Sequence, residues 1–443
     1  MTAPDLDEKA LIRRAYDRLS FGPAPGALAR AQAGSAGAAI GRLLTPTGTD
    51  AAAAAIPAPK FDDIVKVKKD QATPETRKAR SAAVKQNRQT LLWWWLQTAV
   101  AADHQITEKL TWFWQGHFAT SIQKVKSGPL MYRQNVSERR LCRGSFTDLA
   151  KAMVVDPAML VWLDGNDNTV KAPNENLSRE FMELFSLGHG HYTETDVRQA
   201  AKALTGWTVD KKTGAAKLVP KRQDTSSSTI LGRTGTFAAA SFVDLVLAQP
   251  ASAEFVIGRL WFRLVSATPP DAATLADLVK AYGPSRNIAA AVAAMVTGPE
   301  FAAAGSSMVK QPVEWLVGLL RAVGAKPGEF PAKLQKSLLN GLRQMGQTPF
   351  TPPSVGGWPA GRAWLTTATS IARTQLARAV AQQQKSVAAS TGSTPAARLD
   401  GLRRLLGVDA WTDRTVAALN LVGDDPIAGL AVAACSPEYV VSR

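Results

Sequence analysis

The sequence predicts a mainly α fold, one large multihelical body with long loop insertions and room for one small β-hairpin. Three observations lead there. Apolar residues recur at helical spacing along most of the chain. Strand signals, β-branched residues between turn glycines, are confined to residues 208–219 and 229–242. With 46% hydrophobic and 20% charged residues among 443, the chain can bury a large core and does not have the composition of a disordered or disulfide-stapled chain.

The first helix runs from about Asp7 to Leu19, with Leu11, Ile12, Ala15, Tyr16 and Leu19 at helical spacing, and ends at Phe21-Gly22-Pro23. Short alanine-rich helices follow, then a linker of Ala, Pro, Gly and Thr over residues 45–60. Lys60–Arg88 holds nine basic and four acidic residues, the densest basic run, which reads as a solvated helix face or as a contact for an anionic partner. Gln89 to about Trp114 is strongly helical, and a second run covers Ser137–Val155 and ends at Asp156-Pro157. The same device of an apolar helix end, a small or capping residue and a proline recurs at Gly298-Pro299 and Ser436-Pro437. Amphipathic helices fill Phe242–Arg321, a Pro/Gly-rich loop covers Thr348–Gly361, and a last helical section from Ala363 is interrupted at Ser386–Ala396. The expected organisation is a body over residues 1–385, with loop-rich insertions at 45–60 and 208–240, and a helical segment at 397–443 packed on the same body.

Lys+Arg 52 against Asp+Glu 36 gives a formal +16, which favours acidic partners such as an anionic polymer. Nucleic acid ranks low among these, because no helix-turn-helix, zinc or RNA-recognition signature accompanies the charge. Cys142 and Cys435 fit no metal or redox spacing and are expected to be buried thiols. The amino-terminal residues lack the apolar core of a signal peptide, and no run of about 18 apolar residues could span a membrane. A soluble, cytoplasmic protein is the default expectation.

The densest polar cluster in an apolar neighbourhood is KAPNENLSREFMELFSLGHGHYTETDVRQAAKALTGW, Lys171–Trp207. Asn174 or Asn176 should cap a helix that stops at Gly188. Along it Glu175, Arg179 and Glu183 follow at i, i+4, i+8, beside a row of Asn176, Glu180 and Glu183. This pattern has two readings, an ordinary ion-pair ladder or a pair of carboxylates for acid/base or metal chemistry. His189 and His191 follow directly and, with Glu180 and Glu183, form a candidate ligand set for a divalent metal, although the spacing matches no established metal motif. His117, flanked by Trp112, Phe113, Trp114 and Phe118, reads as a core histidine or a pocket group. No nucleophile elbow, phosphate loop, dinucleotide fingerprint or zincin helix is present.

These residues resemble a known family. The segment DPAMLVWLDGNDNTVKAPNENLSREFMELFSLGHGHYTETDVRQAAKALTGW looks like the signature of the bacterial family catalogued as domain of unknown function 1800. RLSFGPAP, EKLTWFWQGHFATS, VKQPVEWLVGLLRAVG and PFTPPSVGGWPAGRAWL resemble its other blocks in order, so the likeness covers nearly the whole chain. It marks His117, Asn174, Glu175, Asn176, Arg179, Glu180, Glu183, Tyr192, Thr193, Glu194, Asp196, Gly206 and Trp207 as motif positions, and His189 and His191 as less uniform ones. Where that family commonly shows His-Asp and then Lys before Leu-Gly, this chain has Gln223-Asp224 and Ser228 before Leu231-Gly232, a departure that puts any chemistry of that histidine and lysine in doubt. Such proteins are often encoded beside a sulfatase-like protein with a twin-arginine export signal, which implies a partner and a route of export bound to it.

The functional expectation is a hydrolase on a carbohydrate-containing or cell-envelope polymer. Glu180 and Glu183 are the acid/base candidates, with Asp164 or Glu194 as alternative acids. Arg179 and Glu175 would orient them, His117, Trp114 and Trp207 would line the pocket, and Asn174, Asn176, Tyr192 and Asp224 would meet substrate. A non-catalytic binding or assembly role beside a sulfatase-like partner is the alternative.

Overall fold

Capping residues and prolines set most helix starts in the computed structural model, which describes residues 5–64, 73–210, 212–384, 387 and 392–442. The side chains of Asp7, Ser35, Asp271 and Asn287 accept first-turn N–H groups. Proline opens Pro250–Leu264, Pro312–Ala322, Pro395–Leu406 and Pro426–Cys435. The repeated proline device does open helices at Pro157, Pro299 and Pro437, but only Asp156 caps with its side chain. The described residues are 62% helical. The sequence expectation for 137–155 differs from what forms. Gly128–Leu141 and Phe146–Val154 are separate helices, because the backbone between them bonds elsewhere, Phe146 N–H to the Arg286 carbonyl and Ile288 N–H to that of Gly144.

The β structure is three two-stranded antiparallel sheets among the described residues. Two are hairpins in the segment marked by the strand signals, Trp207–Val209 with Ala216–Leu218 and Ser228–Ile230 with Arg233–Gly235. The third joins Met308–Val309 to Val441–Ser442, a pairing between distant segments that no local pattern announces.

Two large apolar cores meet along a shared helix. Gln105–His117 sends Trp112 into the first core and Leu110, Phe113 and Trp114 into the second. Nearly every residue on it is buried, including the charged pair Glu108 and Lys109, and these two are bonded to Arg139 and Glu314 on other helices. The first core also takes in Leu402, Leu419, Leu430 and Tyr439, so the carboxy-terminal helices pack into the same body as Trp95 and Leu316. Thr367–Ala381 lies against Pro426–Cys435. The linker at 45–60 contains one short helix, Ala51–Ala54, capped by Asp50. Of the basic run, Lys66, Lys68 and Lys69 lie outside the described residues, and Arg77, Lys78, Arg80 and Lys85 are exposed on the helix Pro74–Ala101. Cys142 and Cys435 are free, and burial pushes the Cys142 thiol up to about 12. No single described helix is long and apolar enough to cross a membrane.

Candidate functional site

The polar segment forms a helix of two kinds. Asn176–Glu180 is α-helical, and Phe181–Ser186 continues as a π-helix, a local widening often found at functional sites. Leu187 N–H reaches back to the Met182 carbonyl at 2.8 Å and Ser186 Oγ donates to that of Phe181 at 2.5 Å. The wider turn sends Phe181, Met182 and Phe185 into the core and leaves Glu183 half-buried at a cavity of about 480 Å³. Gly188 then stops the helix with a φ of +82°, and a Cβ there would lie 3.0 Å from the Phe255 ring, so both backbone and space favour glycine.

Glu183 is held from two sides. Tyr192 donates its hydroxyl to Oε2 at 2.5 Å, and His189 Nδ1 stands 3.2 Å from Oε1. Burial, then this bond, raises the Tyr192 hydroxyl above its ordinary range, so it stays protonated as a donor. His117 forms part of the same wall, with His191, Glu254, Phe255 and Arg259. His117 is 2% exposed. Its Nε2 lies 2.9 Å from the Phe185 carbonyl, which can only accept, so the proton sits on Nε2. Nδ1 is then a bare acceptor, buried and without a partner among the described residues. Burial, aided by the charge of Arg259, pushes this imidazole down to about 3, so it is neutral at ordinary pH. Burial also lowers the Arg259 guanidinium from its ordinary value.

The other predicted residues are distributed differently. Arg179 pairs with both oxygens of Glu194 at 2.7 Å and with Glu175 at 3.3 Å, and these bonds tie two helices together without reaching Glu180 or Glu183. Glu180 is half-buried next to Glu183 but is not part of the cavity wall; burial, then the Glu183 charge, raises its carboxyl. Asn174 Oδ1 accepts Asn176 N–H, and Asn176 Nδ2 donates to the Leu163 carbonyl, so both amides fix the approach to the helix. Trp114 is fully buried and donates to the Cys142 carbonyl. Trp207 begins a hairpin strand, and neither tryptophan lines the cavity. Asp224 closes a turn onto Ser226 N–H while its own N–H donates to Thr205 Oγ1. Asp164 is paired with Lys124 at 2.7 Å. Gln223 packs against Gly206 and Ser228 starts a strand. Thr193 and Asp196 form a reciprocal cap on Glu194–Ala203. Among the described residues no group of three or more His, Cys, Asp or Glu is arranged to hold a metal ion.

Sequence reasoning missed Glu254 and Arg259, which complete the wall from Pro250–Leu264. Their helix is an ordinary amphipathic one, and nothing in its spacing separates a solvated carboxylate from one beside a cavity.

The model of the family described as "Protein of unknown function (DUF1800)" matches residues 14–441. No curated protein and no solved structure gave a match.

Proposed function

We propose, for a chain that belongs to the family of proteins of unknown function DUF1800, a hydrolase whose acid/base group is Glu183 and whose substrate is a carbohydrate-containing or cell-envelope polymer. The observation that carries this reading is a half-buried carboxylate at a cavity of about 480 Å³, hydrogen-bonded by Tyr192 and contacted by His189, with Glu254 on the same wall. Two carboxylates at one cavity supply what glycosidic cleavage needs, one to protonate the leaving oxygen and one to activate water or stabilise positive charge. Glu254 takes the second role, in place of Glu180. Arg259 offers a donor for a polar or anionic group of the substrate, and the Phe255 ring offers apolar surface to a sugar ring.

The test is release of new reducing ends from purified bacterial envelope polysaccharide. Glu183→Gln is expected to lower the rate at least about a hundredfold, whereas Glu180→Gln keeps it. Equal rates in wild type and Glu183→Gln would refute the assignment. An assembly role beside a sulfatase-like protein is the second reading. It is favoured by how many polar groups of residues 174–196 are engaged in caps and ion pairs. A partner that co-purifies equally with wild type and Glu183→Gln, with no reducing ends released, supports that role.

A further inference from the structure

Two helices and one loop that wall the Glu183 cavity also wall a second cavity of about 330 Å³. Gln105–His117 contributes His117 to the first and Lys109 to the second, eight residues or about 12 Å along the helix axis. Pro250–Leu264 contributes Arg259 to the first and Arg263 to the second, and the loop contributes Gly356 and Arg362 in the same way.

The charges on the second wall do not balance. Five cations line it, Arg18, Lys109, Arg263, Lys310 and Arg362, against two carboxylates, Asp17 and Glu314. Both carboxylates are already engaged, Asp17 with Lys310 at 2.8 Å and Glu314 with Lys109 at 2.7 Å, and both lysines are more than nine-tenths buried. Three arginines are left over. Arg18, 2% exposed, donates to neutral oxygens, the Val265 and Ser306 carbonyls and the Ser442 hydroxyl, and the carboxylates whose charge it feels, Asp17 and Glu314, are the two already bonded to the lysines. Arg263 makes no hydrogen bond or ion pair among the described residues, and the carboxylate that acts on it is Glu314, which Lys109 holds. Arg362 stands exposed at the rim. Uncompensated buried charge is costly, and guanidinium groups match the oxygens of an oxyanion. Phe262, Met308 and Val309 add apolar surface to the same wall.

We infer that this second cavity binds a small phosphate-type dianion carrying an apolar group, with Arg263 and Arg362 as its accessible anion contacts. The site is separate from the Glu183 chemistry and does not depend on it.

The probe is phenyl phosphate, titrated into the full chain by calorimetry and followed by thermal unfolding. Saturable binding and a rise in Tm beyond that of sodium chloride at equal ionic strength are expected. The Arg263→Gln and Arg362→Gln double variant removes two groups without a bonded carboxylate, and its unliganded Tm controls for folding. It should bind at least about tenfold more weakly than wild type, a loss of about 1.4 kcal/mol. Benzoate, with the same ring and less charge, should need a several-fold higher concentration. No shift beyond that of sodium chloride, equal affinity in the folded double variant, or equal potency of benzoate would each overturn the inference.

Discussion

Protonation of His117 provides a quantitative test of the buried wall. This imidazole is 2% exposed and pushed down to about 3 by burial and then by Arg259, whereas an unfolded histidine titrates near 6.5. Between these values the unfolded chain binds the proton and the native chain does not, so stability falls as pH falls through this window. From pH 7 to pH 5 the unfolded histidine goes from about one quarter to almost fully protonated, which removes about 2 kcal/mol of stability. Other buried groups pull the opposite way. Burial pushes Asp156 up to about 7 and Glu138 well above the ordinary carboxylate range; the native state keeps their protons, so they favour folding as pH falls. The comparison that isolates the histidine is therefore wild type against His117→Phe, by urea unfolding at both pH values. The variant loses the Phe185 bond at every pH, but wild type should lose about 2 kcal/mol more than it does between pH 7 and 5. Identical pH slopes would show that the imidazole is not neutral in the fold and would refute the reasoning.

Three further outcomes follow from packing and charge. Asp17→Asn leaves Lys310 buried without its carboxylate and should cost about 3–5 kcal/mol in urea unfolding, whereas Asp17→Leu combined with Lys310→Met should recover most of that. Gly318→Ala puts a Cβ 2.5 Å from the Phe21 carbonyl oxygen. The overpacking, about 1–3 kcal/mol, should outweigh the helix preference of alanine, about 1 kcal/mol, and the urea midpoint should fall. Arg179→Ala removes a partly exposed pair with Glu194 and should cost no more than about 1 kcal/mol, with any Glu183-dependent activity unchanged.

The parts of the fold that were legible are those governed by local rules. Helix Glu8–Leu19 follows from apolar spacing and the Asp7 cap, and the prolines mark helix starts. What was not legible depends on partners far along the chain. Lys109 and Glu314 look like misplaced charges in EKLTWFW and PVEWLVGLL until they meet each other at 2.7 Å. Asp17 and Lys310 are likewise joined only by the fold. At the site, Glu183, Tyr192 and His117 are motif positions and His189 stands out as a neighbouring histidine; Glu183, His189 and His117 share the cavity wall while Tyr192 braces Glu183. The ladder of Glu175 and Arg179 had two readings from spacing, and geometry turns it towards Glu194.

The common walls of the two cavities have a thermodynamic consequence. Lys109 and His117 are fixed on one helix, and Arg259 and Arg263 on another. If seating a ligand in either cavity changes the position of those helices, the free energy of that displacement enters both equilibria. Linkage then requires reciprocity: the factor by which an anion near Arg263 alters affinity at Glu183 equals the factor by which a ligand at Glu183 alters affinity for the anion. Two titrations, each in the presence and absence of the other ligand, measure a single number twice. A factor of one would mean that the helices are rigid enough to insulate the two chambers from each other.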